Sequence, residues 1–342
     1  MNLVPSNAAA VLSRSTSTEV QSRAREILRQ EGEVYPYRLL NIYMNNPFLR
    51  LPQEDVDAMR KVARPTALGD LVALRDEATR SRAPKCSVFC MPKSGSSFIQ
   101  SALQNSLQLP LVSLTSFATP VGSSAFGMNG REQEVDELAL IKAVLVNPAG
   151  FVAQHHTRFT PFLGLQMQLY RIQPVVTVRN ILDCIVSFDD MMRRWRGNAG
   201  EKHWPYDPQF ALPLDFERRP QDERYTVLAH SLGIWLVNFY VSWRRGIREG
   251  CVSPLVIRYE DDVLAPDRLA DLLTRHFQLD AAQQARLAAY VERPDPDSAR
   301  LNVGRKGRGE DLIPERLKVF LADYVGLFSN ELTAEEIRYL VR

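Results

Sequence analysis

Beyond Pro84 the chain alternates short apolar runs with longer segments in which apolar residues recur every three or four positions. The short runs have the length of buried strands and are bounded by turn-forming residues, whereas the longer segments have the period of amphipathic helices. This alternation is typical of βα units and predicts an α/β fold, with a central parallel sheet flanked by helices. Strands are predicted over residues 87–91, 151–155, 175–178 and 255–259; helices are predicted to begin near Ser96, Ile181, Asp222 and Pro266 and to cover 281–292, 314–327 and 334–341.

The first 83 residues have a different residue pattern, which is polar in composition and helical in its spacing of apolar residues. Apolar residues occur at helical spacing over residues 19–29, 53–62 and 68–78, interrupted by Pro47, Pro52 and Pro65. We therefore predict a helical N-terminal extension over 1–83 and an α/β domain over 84–342. The extension carries no chemical motif, so it is interpreted either as a helical appendage on the core or as a lid or partner surface.

The overall charge is too mild for a protein that binds nucleic acid in bulk. The 342 residues carry 42 Lys and Arg against 40 Asp and Glu, a formal net charge of +2, whereas such proteins concentrate a basic excess on one face.

No apolar run approaches the roughly 20 residues that span a bilayer, and the N-terminus lacks the order of a secretory signal. We expect a cytoplasmic protein without an integral membrane segment, with a targeting signal in the Ser-rich N-terminus as the alternative. The four cysteines form no CxxC pair and are expected to be reduced.

The most informative motif is SVFCMPKSGSSF at residues 87–98. An apolar strand leads into a tight turn that contains Gly95, after which Ser96 and Ser97 open a helix. Such a junction directs backbone N–H groups and the positive end of a helix at one point, which makes an anion site, and Lys93 adds a charge. The nucleotide-triphosphatase loop GxxxxGK[ST] has its lysine after the second glycine, whereas Lys93 precedes Gly95. A purely structural turn is the alternative interpretation.

Two further segments carry residue types that bind phosphate. In VVTVRNILDCIVS a strand delivers Arg179 at its carboxyl end, and Ser187 follows about two helical turns later, where both can contact one phosphate. In NVGRKGRG, glycines let backbone amides approach an oxyanion while Arg305 and Lys306 supply charge. Taken singly, each has a structural alternative: an arginine that caps a sheet edge, a serine on a helix surface, and a solvated basic loop.

Together these segments resemble the sulfotransferase family that uses 3′-phosphoadenosine 5′-phosphosulfate (PAPS) as co-substrate. Over roughly residues 84–330 three motifs match in order: PKSGSS for the usual PKSGTT, RNILDCIVS for the usual RNPKDxxVS, and the late RKG loop. The resemblance implies the P-loop-like sulfotransferase fold and transfer of a sulfuryl group from PAPS to a hydroxyl or amine, with release of adenosine 3′,5′-bisphosphate (PAP). It implies that the 5′-phosphosulfate is held by Lys93, Ser94, Gly95, Ser96 and Ser97, the 3′-phosphate by Arg179, Ser187, Arg305, Lys306 and Gly307, and the adenine by Phe98 and Tyr259. Ile181 and Leu182 depart from the usual Pro-Lys.

A histidine pair, His155 and His156, ends the strand predicted at 151–155, at the edge where ligands bind in open parallel sheets. The family has a catalytic histidine here, and the resemblance favours His156. Adjacent strand residues point to opposite faces, so we expect only one ring to reach the donor; a structural role is the common alternative for a histidine. The implied mechanism is an in-line displacement in which His156 takes the acceptor proton and Lys93 offsets charge on the bridging oxygen, without a metal ion.

No motif specifies the acceptor, for which we expect a small molecule or a carbohydrate. Residues 191–206 are interpreted either as a solvated loop or as an acceptor lid, with Trp195, Trp204 and Tyr206 stacking on a ring and Arg193, Arg194 and Arg196 steering an anion. Two other functional classes stay open. A P-loop-type kinase would bind ATP with Mg²⁺ and would need the lysine after the second glycine of GxxxxGK[ST], which this chain lacks. A non-catalytic PAP- or PAPS-binding protein would keep the phosphate motifs but tolerate loss of both histidines. The oligomeric state is also open.

Overall fold

The computed structural model describes residues 5–12, 15–45, 49–62, 68–115, 134–199, 212–213, 215–295 and 305–341. Over these residues the strands are β1 (Lys85–Cys90), β2 (Leu111–Val112), β3 (Phe151–His155), β4 (Gln173–Val178) and β5 (Leu255–Arg258). They form one parallel sheet in the order β2-β3-β1-β4-β5. The predicted α/β fold with a central parallel sheet is confirmed.

Helices precede the sheet and cover both of its faces. Those before β1 are α1 (Pro5–Leu12), α2 (Thr18–Arg29), α3 (Tyr35–Asn45), α4 (Gln53–Val62) and α5 (Leu68–Arg80). The others are α6 (Ser96–Leu107), α7 (Glu137–Val146), α8 (Pro161–Tyr170), α9 (Ile181–Ala199), α10 (Gln221–Leu228), α11 (Ile234–Arg248), α12 (Pro266–Phe277), α13 (Ala281–Glu292), α14 (Arg308–Leu312), α15 (Glu315–Gly326) and α16 (Ala334–Val341). No helix in the described ranges is long and apolar enough to cross a membrane.

Successive strand residues alternate between two apolar clusters, one on each face of the sheet. In β1, Cys86 and Val88 belong to one cluster and Phe89 to the other. Burial on both faces is what a parallel sheet covered by helices requires. The register sets Phe89 beside His155 and Cys90 beside Thr177. The segments that follow β1, β3 and β4 therefore meet at one edge of the sheet.

The crevice at this edge lies between β1 and β4. From β1 the chain crosses to β2 at one side of the sheet, whereas from β4 it continues to β5 at the other side. Loops that diverge in this way leave a gap outside the carboxyl ends of the strands, which is where open α/β sheets bind ligands. The loop that contains Lys93 and the turn that contains Arg179 border this gap.

Most predicted elements are confirmed, and β3, α4, α13 and α16 have the predicted bounds. The prediction omitted β2 and the helices α1, α3, α7, α8 and α14. With two residues, β2 is too short for any periodicity to be visible. The α7 sequence ELALIKAVLV is apolar around most of its circumference, so it lacks the alternation that marks a helix.

Two separate clusters organise the N-terminal helices. Helices α1–α4 enclose an apolar cluster of their own, which includes Ala24 and Leu28. Helix α5 packs on the α/β domain instead, because Ala78 is buried in that domain's larger cluster and Arg75 forms two hydrogen bonds with Glu137 of α7, at 2.7 and 2.6 Å. Within the extension predicted over 1–83, the last helix thus shares the core of the sheet domain.

Candidate active site

Two residues in the left-handed backbone region shape the turn after β1. Lys93 has a φ of +69° and Gly95 a φ of +79°. A Cβ on residue 95 would lie 3.1 Å from Val263 and 3.2 Å from Tyr259, so conformation and close approach both favour glycine. Helix α6 begins next, and the N–H groups of its first turn have no partner within the helix. The turn therefore aims helix-terminal donors and the positive end of a dipole at the crevice, as an anion site requires.

Hydroxyl groups of this loop are largely engaged by the protein. Ser94 donates to the Met91 carbonyl at 2.7 Å and lies 2.6 Å from the Thr177 hydroxyl, and its own N–H also bonds to Met91. Ser96 accepts a hydrogen bond from Gln154 at 2.9 Å. Within the described residues the half-buried Ser97 hydroxyl makes no hydrogen bond. Ser94 thus stabilises the turn itself.

Arg179 joins the two basic loops at the end of β4. Its guanidinium is buried, donates to the Lys93 carbonyl at 2.9 Å and to the Arg305 carbonyl at 3.4 Å, and lies 4.0 Å from the centroid of the Tyr259 ring. The bond to Lys93 supports a left-handed conformation that otherwise costs on the order of 1–2 kcal/mol. The side chains of Arg305 and Lys306 are exposed. The three predicted anion-binding segments are therefore in contact.

Two carboxylates, the buried Asp183 and the half-buried Glu260, flank the Arg179 guanidinium without a hydrogen bond to it. Asp183 and Glu260 each approach one of its nitrogens to 3.9 Å. The Arg179 Nε atom is buried and has no hydrogen-bond partner among the described residues. An unsatisfied buried N–H at the carboxyl end of β4, where open parallel sheets bind ligands, can donate to an incoming oxyanion.

Asp183 fixes the loop that carries the RKG motif. Its carboxylate accepts the Gly307 N–H at 2.8 Å and the Gly309 N–H at 2.6 Å. A Cβ on residue 309 would lie 2.4 Å from Leu182, so the loop sits directly against α9. The sequence prediction did not include Asp183. The sequence did offer a signal for it: Asp183 is a carboxylate four residues after Arg179, in the first turn of α9, where such a side chain can accept backbone N–H groups.

The Lys93 ammonium lies against the Met191 sulfur at 3.6 Å. Burial lowers the pKa of Lys93 to about 8, and the positive charges of Arg194 and Arg179 act in the same direction. The site therefore disfavours the ammonium when no anion is present. A bound anion would supply the missing countercharge.

His156 follows the last residue of β3 and is buried against the end of β1. Its Nδ1 lies 2.9 Å from the Cys90 carbonyl; because a carbonyl can only accept, Nδ1 carries the proton and the lone pair is on Nε2. Burial lowers the pKa of His156 to about 4, and the charge of Lys93 contributes. The ring is therefore neutral at pH 7 and can accept a proton.

His155 has different surroundings. Its Nε2 accepts the Leu114 N–H at 3.3 Å, and its ring lies against Phe89. Burial lowers the pKa of His155 to about 3, with a contribution from His156. Because the Nε2 lone pair is already used, this ring is poorly placed to act as a base.

The remaining predicted residues are buried or only partly described. Ser187 is buried in α9, while Phe98 stacks on Tyr290 with ring centroids 6.0 Å apart and shares an apolar cluster with Tyr259. The segment predicted as a loop over 191–206 is wrong in its first part, since α9 continues to Ala199 and exposes Arg193 and Arg194. Residues 200–206, with Trp204 and Tyr206, lie outside the described residues, as do 302–304 of the late loop.

Among the described residues, no group of His, Cys, Asp and Glu side chains is arranged to hold a metal ion. The chain matches no family model, and a search of curated proteins finds no match. The sulfotransferase resemblance therefore depends on the three motifs, whose side chains the fold brings to one edge of the sheet.

Proposed function

We propose that this chain is a sulfotransferase that takes a sulfuryl group from PAPS and passes it to a hydroxyl or amine acceptor. The observation that carries the proposal is the pair of hydrogen bonds from Arg179 to the carbonyls of Lys93 and Arg305, at 2.9 and 3.4 Å. These residues are 86 and 126 positions away from Arg179 in the chain. The three motifs on which the resemblance depends are thus neighbours in space.

The donors around Arg179 fit a nucleotide with two anionic ends. The N–H groups at the start of α6 and the Lys93 ammonium would face the 5′-phosphosulfate. The Nε–H of Arg179 and the exposed side chains of Arg305 and Lys306 would face the 3′-phosphate. Gly307 is expected to contribute less than the resemblance implies, since its N–H is already bonded to Asp183.

His156 is the residue best suited to accept the acceptor proton. PAPS, when bound, supplies the sulfuryl group and an anionic leaving group. The Nε2 lone pair of His156 would take the proton as the acceptor oxygen bonds to sulfur, a role worth roughly 10²- to 10⁴-fold in rate. The Lys93 ammonium would lie against the charge that develops on the departing oxygen.

Thermal unfolding with different nucleotides tests the donor assignment. PAP should raise the melting temperature in the presence of EDTA, because a ligand at 100 times its Kd stabilises the native state by about 2.7 kcal/mol. ATP with Mg²⁺ should do much less, since it has no 3′-phosphate for Arg179. A shift with ATP and Mg²⁺ but none with PAP would refute the proposal and favour the kinase.

Turnover requires a separate experiment. Candidate hydroxyl and amine acceptors are incubated with PAPS, and mass spectrometry detects the addition of one SO₃ group. An Arg179→Ala variant serves as the control for donor-dependent transfer. If PAP stabilises the protein but PAPS is never consumed with any acceptor, the non-catalytic binding protein becomes the better assignment.

A further inference from the structure

The last helix of the chain contacts the residues on both sides of Arg179. The Tyr339 hydroxyl lies 2.6 Å from Glu260 Oε2 and 3.2 Å from the Val178 carbonyl, and the shorter contact assigns its proton to Glu260. The Tyr339 carbonyl accepts the side-chain amide of Asn180 at 3.0 Å. One residue of α16 therefore holds the end of β4, where Arg179 enters the crevice.

Glu260 is held close to Arg179 but beyond hydrogen-bond distance. One carboxylate oxygen accepts the Asn180 backbone N–H at 3.1 Å, while the other receives the Tyr339 hydroxyl. The distance from Glu260 to Arg179 Nε is 3.9 Å, against about 2.7–2.9 Å for a charge-assisted hydrogen bond. Two donors thus keep this carboxylate away from the one guanidinium nitrogen that has no partner among the described residues.

Helix α16 is itself fixed to the domain. At its start, Glu336 and Thr333 exchange hydrogen bonds at 2.8 and 3.2 Å, and Glu336 pairs with Arg244 at 2.5 Å. Further along, the Arg258 guanidinium lies 4.8 Å from the centroid of the Tyr339 ring. The Tyr339 hydroxyl is therefore delivered by an anchored helix and an oriented ring.

We propose that Tyr339 is a positioning residue of the anion site: by holding Glu260 away from Arg179, it keeps the Nε edge of the guanidinium open to an oxyanion. Without the hydroxyl, Glu260 loses a donor, and Arg179 Nε, 3.9 Å from its carboxylate, is a charged replacement. The carboxylate would then compete with the ligand for the same N–H. Naming the oxyanion as the 3′-phosphate rests on the proposed function, whereas the coupling of α16 to Arg179 does not.

Tyr339→Phe tests the coupling, since it removes the hydroxyl and keeps the ring against Arg258. We expect the Kd for PAP, measured by calorimetry, to rise about tenfold, the factor that corresponds to about 1.4 kcal/mol. The Asn180 amide should exchange faster with deuterium as Glu260 leaves it. Tyr324→Phe is the matched control, because the Tyr324 hydroxyl bonds to Asn238 of α11 and not to Glu260, and it should change neither quantity.

A second background separates positioning from general destabilisation. In Glu260→Gln the carboxylate that faces Arg179 Nε is absent, so PAP should bind at least as tightly as in the wild type, and adding Tyr339→Phe should cost less than about twofold. An equal loss in both backgrounds, or an unchanged Kd and exchange rate in Tyr339→Phe, would overturn the inference. If the wild-type protein binds no PAP, the proposed function fails and the Asn180 exchange rate alone decides the coupling. Faster exchange in Tyr339→Phe but not in Tyr324→Phe would support the coupling. Unchanged exchange in Tyr339→Phe would refute it.

Discussion

At the scale of single residues, Lys93 opposes the stability of the ligand-free protein. It occupies a left-handed backbone conformation, with φ +69°, and its half-buried ammonium lies near Arg179 and Arg194. Both features are unfavourable unless an anion is bound. Strain and uncompensated charge at one residue are typical of sites that are selected for binding rather than for stability.

Replacing Lys93 by Met should stabilise the ligand-free protein. At pH 7 the free energy of unfolding should rise by on the order of 1–3 kcal/mol, because the cost of burying the ammonium is removed. Between pH 8 and 10.5 the unfolded chain binds the proton that native Lys93 has lost, so wild-type stability rises with pH and the advantage of the variant shrinks. Denaturant unfolding at pH 7 and 9.5 measures both effects.

Lys318→Met is the matched control for this experiment. Its ammonium pairs with Glu310 at 3.1 Å, so its removal should not stabilise the protein. An equal gain in both variants would attribute the effect to lysine removal in general. A Lys93→Met variant with no gain at pH 7 would contradict the half-buried, uncompensated ammonium.

The two histidines should make the protein sensitive to acid. Native His156 and His155 have pKa values of about 4 and 3, whereas unfolded histidines titrate near 6.5. Below pH 6.5 the unfolded chain therefore binds more protons, and stability falls by up to about 1.4 kcal/mol per pH unit for each histidine. His156→Gln should reduce this slope by about one proton between pH 6 and 4.5, as measured by urea unfolding. An unchanged slope in this variant would contradict a neutral, buried His156.

Catalysis should separate the same two histidines. His156→Ala should keep the stabilisation by PAP and lose most of its turnover, because a general base acts on the chemical step. His155→Ala should retain substantial turnover, since its Nε2 is engaged by Leu114. The reverse pattern would move the base to His155, and full activity in both variants would exclude histidine catalysis.

At the scale of elements, Asp183 makes α9 and the late basic loop one unit. A single carboxylate receives two backbone N–H groups of the loop, and Gly309 lies so close to α9 that no side chain fits there. The loop is therefore held in place before any ligand binds. Preorganisation of this kind reduces the entropy lost on binding.

Asp183→Asn should loosen this unit. An amide has one acceptor oxygen, so one of the two N–H groups would face an NH₂ donor. We expect the Kd for PAP to rise more than tenfold and the affinity for adenosine 5′-phosphosulfate, which lacks the 3′-phosphate, to change far less. Faster tryptic cleavage after Arg305 and Lys306 would report the loosening without any ligand.

Glycine substitutions in the loop supply the internal comparison. Gly309→Ala should weaken PAP binding strongly, because its Cβ would collide with the α9 backbone at 2.4 Å. Gly307→Ala meets no atom within 4 Å and is strained only by its φ of +82°, so it should cost about 1 kcal/mol of stability. If Gly307→Ala proves the more harmful for binding, the close packing on α9 is not what positions the loop.

At the scale of the whole molecule, the N-terminal helices divide between two cores. Helices α1–α4 share a cluster of their own, whereas α5 contributes Ala78 and the Arg75–Glu137 pair to the sheet domain. Burial of apolar area is the main source of stability for each core. The point at which the chain can be shortened should therefore lie between α4 and α5.

Two truncations test this division. Removal of residues 1–66 should leave PAP binding intact and lower the melting temperature of the sheet domain by only a few degrees. Removal of residues 1–83 should lower it much further, because it exposes the apolar surface that Ala78 covers and leaves Glu137 without its arginine. Circular dichroism of the two shortened proteins measures the difference. Equal effects would place α1–α4 in the core of the sheet domain.

Local order along the chain was enough to predict the α/β fold and the bounds of β3, α4, α13 and α16. Strand alternation, a helix that starts at Ser96 and a glycine at position 95 are all properties of a few consecutive residues, so they are visible without the fold. The edge at which Lys93, His156 and Arg179 meet followed from the rule that parallel strands end together.

Contacts between distant residues could not be predicted in this way. Asp183 bonds to Gly307 across 124 positions, and Tyr339 bonds to Glu260 across 79, and no periodicity records such pairs. The same holds for the Ser94 hydroxyl, which the fold turns toward Thr177, and for the pKa of Lys93, which depends on burial and on two arginines. Hydrogen bonds and charge interactions depend on distance in space, and packing of the helices on the sheet sets those distances.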